Sequence, residues 1–417
     1  MKKLAALTAC VMLLAAAPAD VTYVQQPDAS ADLAGVQVLL QAGLDRQTSR
    51  QNGLASLVAE TILRTPVQGT PLEDAVKAAG GSVSFSSEPR RMRFYVESSS
   101  QAFPAVLQLL HDALAHPDFT PATLADARTH LNDLIARDQT SALRVGIDML
   151  NRAFYQNSDA GLPRYGLSET LAGFASTDAR AFYNEHYRRG DAVVSAAGAI
   201  PAGTPPASVV DGLPAGTSAA VAIKQGPLPS TSRQIIARRD VPVPWLVAQY
   251  RAPDMSSRDF GAMLILTEFM QRTLSEVSDV PGIATRPAAQ RGVGAFYNFD
   301  SSPANVILYV DGGLGDPSRA FSTALGVVGV LGQARLGGDL AELKNFAIGR
   351  LLEDSQTLED RSFLAAVYAS HHLTGDYRTE LVKAINATKP ADLQRVASRY
   401  LSTPTIALVL PRSQQTQ

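Results

Sequence analysis

A chain that hydrolyses peptides with a metal has to bring imidazoles and a carboxylate to one point, and on a helix that requires histidines three or four positions apart. The six histidines here are His111, His116, His130, His186, His371 and His372, and no two share a helix at that spacing. They are expected to be surface or capping residues unless the fold gathers them. Other chemistries fare no better. There is no Gly-x-Ser-x-Gly elbow and no phosphate loop, and Gly292-Val-Gly294 is followed by Tyr297 where a dinucleotide fingerprint needs glycine. The chain offers no complete catalytic set.

What the chain does offer is a well-specified helix over Gly53–Thr65. Leu54, Leu57, Val58, Thr61 and Ile62 fall at i, i+3, i+4, i+7 and i+8 and predict a continuous apolar stripe. Gly-Leu-Ala before its centre and Ile-Leu-Arg-Thr after it resemble the metal-binding helix of the insulinase/pitrilysin zinc peptidases. In that family the helix carries His-x-x-Glu-His, with the two histidines on one face and the glutamate activating the bound water. The resemblance places Ser56 at the first histidine, Ala59 at the glutamate and Glu60 at the second histidine. It also implies a third ligand, a glutamate on a later helix. Here that helix reads Arg128-Thr-His-Leu-Asn-Asp-Leu-Ile, with Asp133 near the position. Without the resemblance, Asp133 is an ordinary solvated acid. In this register no zinc ligand set survives, so the expectation is a chain with no cofactor of its own.

The elements around this helix predict an α+β fold. Val36–Leu40 has the composition of a buried strand and Ser82–Val96 that of a strand or hairpin, and Phe103–Leu114 and Thr120–Arg137 have helical spacing. Later, Pro244–Tyr250 and Val306–Val310 are predicted strands, while Phe260–Leu274, Leu340–Asp354 and Asp360–Leu373 are predicted helices. Two stretches end alike: a helix through Phe182 to Tyr187 runs into Ala192–Gly198, and a helix through Val396 to Tyr400 runs into Ile406–Leu410. This repetition predicts a duplicated domain, residues 20–199 and 234–417, joined by a Pro/Gly/Ala/Ser-rich linker over 200–233. The insulinase family in its short processing-peptidase form has this architecture, two homologous domains making half of a clamshell. The closing segments Phe182–Arg189 and Lys383–Leu401, with Ala252-Pro-Asp, are similar to that family's.

Residues 1–19 have the anatomy of a secretory signal peptide: Met1-Lys2-Lys3, an apolar run from Leu4, and Ala17-Pro18-Ala19 before Asp20. A periplasmic address is expected. Cys10, the only cysteine, lies within this segment, in a Leu-Thr-Ala-Cys run that resembles a lipoprotein box and keeps a lipid anchor as the lesser alternative. The formal net charge of -2, with no Lys/Arg cluster evident along the chain, argues against a nucleic-acid partner.

The resemblance implies one further group of residues. In the family the second domain supplies an arginine and a tyrosine that hold substrate backbone opposite the zinc. Tyr297 and either Arg286 or Arg291 occupy the comparable stretch. A half-buried strand tyrosine with exposed loop arginines is the alternative. The glycine-rich loop that some non-catalytic members use to pass substrate has no counterpart in Gln271–Gln290, which contains only Gly282. The expected function is a zinc-free subunit that closes a chamber and presents peptide to a related partner chain carrying the zinc. The alternative is a peptide-binding or assembly-scaffold protein on the same fold.

Overall fold

The computed structural model describes residues 21–412 apart from 156–157, 220, 222–227, 278–291, 302, 314–316, 332–339 and 374–375. The signal segment 1–19, Cys10, Arg286 and Arg291 lie outside the described residues.

The first half contains, in order, β1 (Thr22–Pro27), β2 (Leu33–Leu40), α1 (Leu54–Arg64), β3 (Pro66–Val67), β4 (Thr70–Pro71), α2 (Leu72–Ala78), β5 (Gly81–Ser87), β6 (Met92–Ser99), α3 (Phe103–Ala115), α4 (Pro121–Thr140), α5 (Ala142–Phe154), α6 (Ser168–Ala172), α7 (Ser176–His186) and β7 (Val193–Gly198). The second half runs β8 (Arg233–Arg239), β9 (Trp245–Arg251), α8 (Phe260–Val277), β10 (Val293–Asn298), β11 (Asn305–Asp311), α9 (Pro317–Leu331), α10 (Leu340–Glu353), α11 (Leu358–Ser370), α12 (Tyr377–Ala387), α13 (Pro390–Tyr400) and β12 (Thr405–Pro411).

Two five-stranded sheets organise these elements, in the orders β1-β7-β2-β6-β5 and β10-β11-β9-β12-β8. Read from the other edge, the second order is β8-β12-β9-β11-β10, the same path strand for strand. In each, the first strand pairs parallel with the last, and the other pairings are antiparallel. The parallel pair is possible because a long helical excursion separates its strands, whereas the hairpins need only short turns.

One face of each sheet packs on its own helices. Val36, Val38, Phe94 and Val96 are fully buried with α1 and α3 residues in the first core, and Val36↔Val96 and Val38↔Phe94 are cross-strand partners. In the second, Ala248, Val306 and Leu308 pack among residues of α8, α9 and α13. At about 1.5–3 kcal/mol for each large apolar side chain removed from water, these two cores dominate the stability.

The opposite faces are covered by exchange. Leu39 and Val193 of the first sheet pack in one cluster with Leu364, Ala366 and Val367 of α11, a helix from the second half. Val247, Ile307 and Ala407 of the second sheet pack with Leu150 of α5, a helix from the first. A Cβ added at Gly146 of α5 would stand 2.5 Å from Val247 Cγ2, so glycine lets this helix sit directly on β9. The predicted linker 200–233 also contributes to packing through its described residues. Val209, Val210 and Leu213 are buried in the first core, because their apolar side chains close it where β7 ends.

Candidate functional site

The helix singled out by sequence, α1, is buried on every side rather than along one stripe: Leu54 through Leu63 are all buried. Its start depends on two glycines. Gly53 (φ 97) caps it in the left-handed region and meets Gly166 (φ 83), where a Cβ would stand 2.5 Å from the Gly53 Cα.

The three degenerate motif positions therefore face protein. The Ser56 hydroxyl lies 2.6 Å from that of Ser87 and donates to the Arg164 carbonyl. Ala59 is fully buried and brings no acid or base. Glu60 is fully buried and accepts from Arg64 Nε at 2.7 Å, while His130 Nδ1 approaches the same oxygen to 2.8 Å. Burial pushes the Glu60 carboxyl up, against the opposing pull of Arg64 and His130.

Across from Glu60 stands His130, not Asp133. The buried face of α4 carries Leu124, Ala127, Leu131 and Ile135; His130 borders that face, while Asp133 lies on the exposed side. So the fold does gather one of the histidines. One carboxylate, one imidazole and two hydroxyls, with a guanidinium already on the carboxylate, do not suit a zinc ion. No group of three or more His, Cys, Asp or Glu that could hold a metal occurs among the described residues.

Tyr297 is on the helix-facing side of β10. Its ring lies 5.7 Å from that of Phe260 and 5.6 Å from that of Phe299, and its hydroxyl donates to the Pro253 carbonyl. Burial raises its pKa. Its neighbours Phe296 and Asn298 alternate to the other face, and there they line a cavity of about 370 Å³ between the two halves.

This cavity is what the sequence did not disclose. It borders the degenerate centre, since Ser87 and Arg164 belong to both, and it is walled by Arg90, Arg91, Arg93, Arg144 and Arg164. The absence of a basic cluster along the chain was misleading, because three segments bring these arginines together. Arg90-Arg91-Met-Arg93 at the β5–β6 turn was the one visible signal. Arg91 pairs with Glu88 at 2.5 Å and with Asp300 of the second half. Arg93 pairs with Glu359 at 2.5 Å and lies 4.7 Å from the Phe363 ring.

The fold and site together define a class: an α+β scaffold of two sheets with the same strand path, with packed hydroxyls and a buried ion pair at the centre of α1. Residues 22–167 match the family model of the insulinase peptidases, peptidase family M16, and contain no His-x-x-Glu-His.

Among curated proteins, the mitochondrial-processing peptidase subunit beta of Dictyostelium discoideum is 26% identical over 175 residues, 40% of this chain and 37% of that protein. Subunit 1 of the mitochondrial cytochrome b-c1 complex of Caenorhabditis elegans is 26% identical over 196 residues, 45% and 41% of the two chains. The chain thus spans about two fifths of the length of the curated relatives it matches. Among solved structures, a peptidase M16 inactive domain from Pseudomonas fluorescens superposes with a TM-score of 0.77 at 15% identity, covering 95% of this chain and 97% of that one. A protease from Helicobacter pylori gives 0.76 at 16% identity, covering 94% and 97%. The M16 inactive-domain fold is therefore shared along nearly the whole chain.

Proposed function

We propose that this protein is the zinc-free subunit of a heteromeric insulinase-type metallopeptidase. In this reading a related partner chain carries His-x-x-Glu-His and the zinc, and the two enclose a chamber in which this chain holds peptide. The observation that carries the reading is the centre of α1. Ser56, Ala59 and Glu60, the motif positions in this reading, are tied into hydrogen bonds and packing that leave nothing to activate water. A fold retained without its chemistry is retained for its surfaces. That two similar proteins are a processing-peptidase subunit and a cytochrome b-c1 complex subunit lends support.

Arg286, Arg291 and Tyr297 are the substrate contacts this reading assigns, with the Tyr297 hydroxyl exchanging the Pro253 carbonyl for a peptide carbonyl. The periplasm is the assigned compartment; no helix among the described residues is long and apolar enough to cross a membrane.

The test is co-expression with a related chain bearing intact His-x-x-Glu-His. Zinc content and peptide cleavage are measured for each chain and for the pair, then with Tyr297→Phe and with each arginine changed to Ala. Zinc-dependent cleavage is expected from the pair and not from this chain alone. Cleavage by this chain alone overturns the reading; unchanged activity of the three variants in the pair overturns the substrate contacts. A stable pair without peptidase activity replaces the reading with the scaffold alternative.

A further inference from the structure

The arginine-walled cavity has more positive charge than its own lining balances. Five arginines face it against two acids, Glu88 and Asp300, and both of those acids are engaged by Arg91. The remaining arginines have their acids outside the lining, Arg93 being paired with Glu359 at 2.5 Å. Arg164 is held by Asp138 at 2.8 and 2.9 Å, Arg144 by Asp148 at 3.0 Å, and Asp45 is 3.8 Å from Arg90. None of these carboxylates lines the cavity. Asp138 and Asp148 hold their guanidiniums by hydrogen bonds while Asp45 stays at a distance, and each fork keeps donors for a second acceptor. Arg144 Nε is buried without a hydrogen-bond partner among the described residues, Asp138 being 3.8 Å away.

The rest of the lining has a different character. Ile147, Phe296, Ile307 and Phe363 form apolar wall, and Asn151, Asn298 and Asn305 bring amides that can both donate and accept. A second cavity of about 480 Å³ adjoins the first, with Arg90, Arg91 and Asp300 lining both. Two adjoining cavities suit an extended ligand better than a compact one. Amides and apolar wall suit a peptide backbone and its side chains, and the guanidiniums suit a carboxylate.

We propose that the cavity between the halves binds an extended peptide segment through an acidic side chain, the carboxylate being taken by the arginines of the wall. This rests on the reading above that the chain handles peptides, and it adds the substrate class: peptides with an acidic residue.

The experiment uses the full mature chain without a partner, so that its outcome is separate from that of the co-expression test. Binding of Ac-Ala-Glu-Ala-NH2, Ac-Ala-Gln-Ala-NH2 and succinate is measured by calorimetry at low and high salt. The acidic peptide is expected to bind at least about tenfold tighter than its glutamine counterpart, with the gap closing as salt screens the guanidiniums. Arg144→Gln should abolish the gap. Because that change also leaves Asp148 without its partner, Ser86→Glu is the second variant: it puts a negative charge into the lining and removes no ion pair. Ser86→Glu should bring the two peptides to equal affinity with an unchanged unfolding temperature. Equal affinity in the native chain, or a gap that survives Ser86→Glu, overturns the proposal. Succinate binding as tightly as the acidic peptide overturns the peptide assignment.

Discussion

Asp45 shows what a single side chain contributes when its partners stay at a distance. Its carboxylate is 1% exposed, and its nearest cationic nitrogens, on Arg46 and Arg90, are both 3.8 Å away. Burial outweighs their attraction and pushes its pKa up to about 6. A carboxyl whose folded pKa lies above its unfolded value destabilises the fold when ionised. That cost is fully present above about pH 6 and is relieved as pH falls toward the unfolded value near 4. Asp45→Asn should therefore raise stability at pH 8 by up to about 3 kcal/mol, and the gain should vanish by about pH 4 in denaturant titrations across that range.

Arg64 works in the opposite sense on the buried Glu60. Removing it as Arg64→Ala strands a carboxylate that His130 alone approaches, and should cost about 2–3 kcal/mol at neutral pH. Protonation of Glu60 replaces the lost partner, so this penalty should shrink as the solution is made acidic; thermal melts at pH 5 and 8 check the trend. The same residues mark the limit of reading from sequence. That Ser56, Ala59 and Glu60 cannot hold zinc follows from their identity, but that Glu60 would meet His130 instead of Asp133 depended on how α4 rolls against α1, which α4's spacing leaves open by a residue or two.

At the scale of elements, what could be read depended on burial. Val36–Leu40 and the Ser82–Val96 hairpin announce themselves because one face is wholly apolar. β1 and β8, Thr-Tyr-Val-Gln-Gln-Pro and Arg-Gln-Ile-Ile-Ala-Arg-Arg, are edge strands and mostly exposed, so their polar residues hide the alternation. The helix α5 carries a glycine at its centre, which propensity counts against a helix. Its packing explains that glycine and makes it testable. Gly146→Ala improves helix propensity, yet its methyl meets Val247, so we expect a net loss of about 1–3 kcal/mol. Val247→Ala in the same chain should recover part of the loss, and a double-mutant cycle by chemical denaturation measures the coupling. Additive effects would show that α5 does not rest on β9.

For the whole molecule, the exchange of α5 and α11 means that neither sheet is finished by its own half. Residues 21–219 expressed alone would leave the α11-covered face of the first sheet, with Leu39 and Val193, open to water, together with the apolar side of α5. That fragment should aggregate or bind a hydrophobic dye, and co-expression with residues 228–412 should restore solubility. Contacts between distant parts also join the halves at Arg91–Asp300, Arg93–Glu359 and Arg361–Asp28. The intact chain should accordingly unfold in one transition, followed by both far-ultraviolet dichroism and Trp245 fluorescence.

The traded helices also bear on how such a protein can move and how it can be cut. Two lobes that each hold a piece of the other have no hinge between them, so their mutual angle is set once, when the chain folds. A protease that nicks the connection between them should yield two bands on a denaturing gel and a single particle in solution. In the proposed peptide-handling role, entry is therefore expected along the outer boundary of the molecule, and a mutation in the connecting stretch should alter folding yield long before it alters ligand binding.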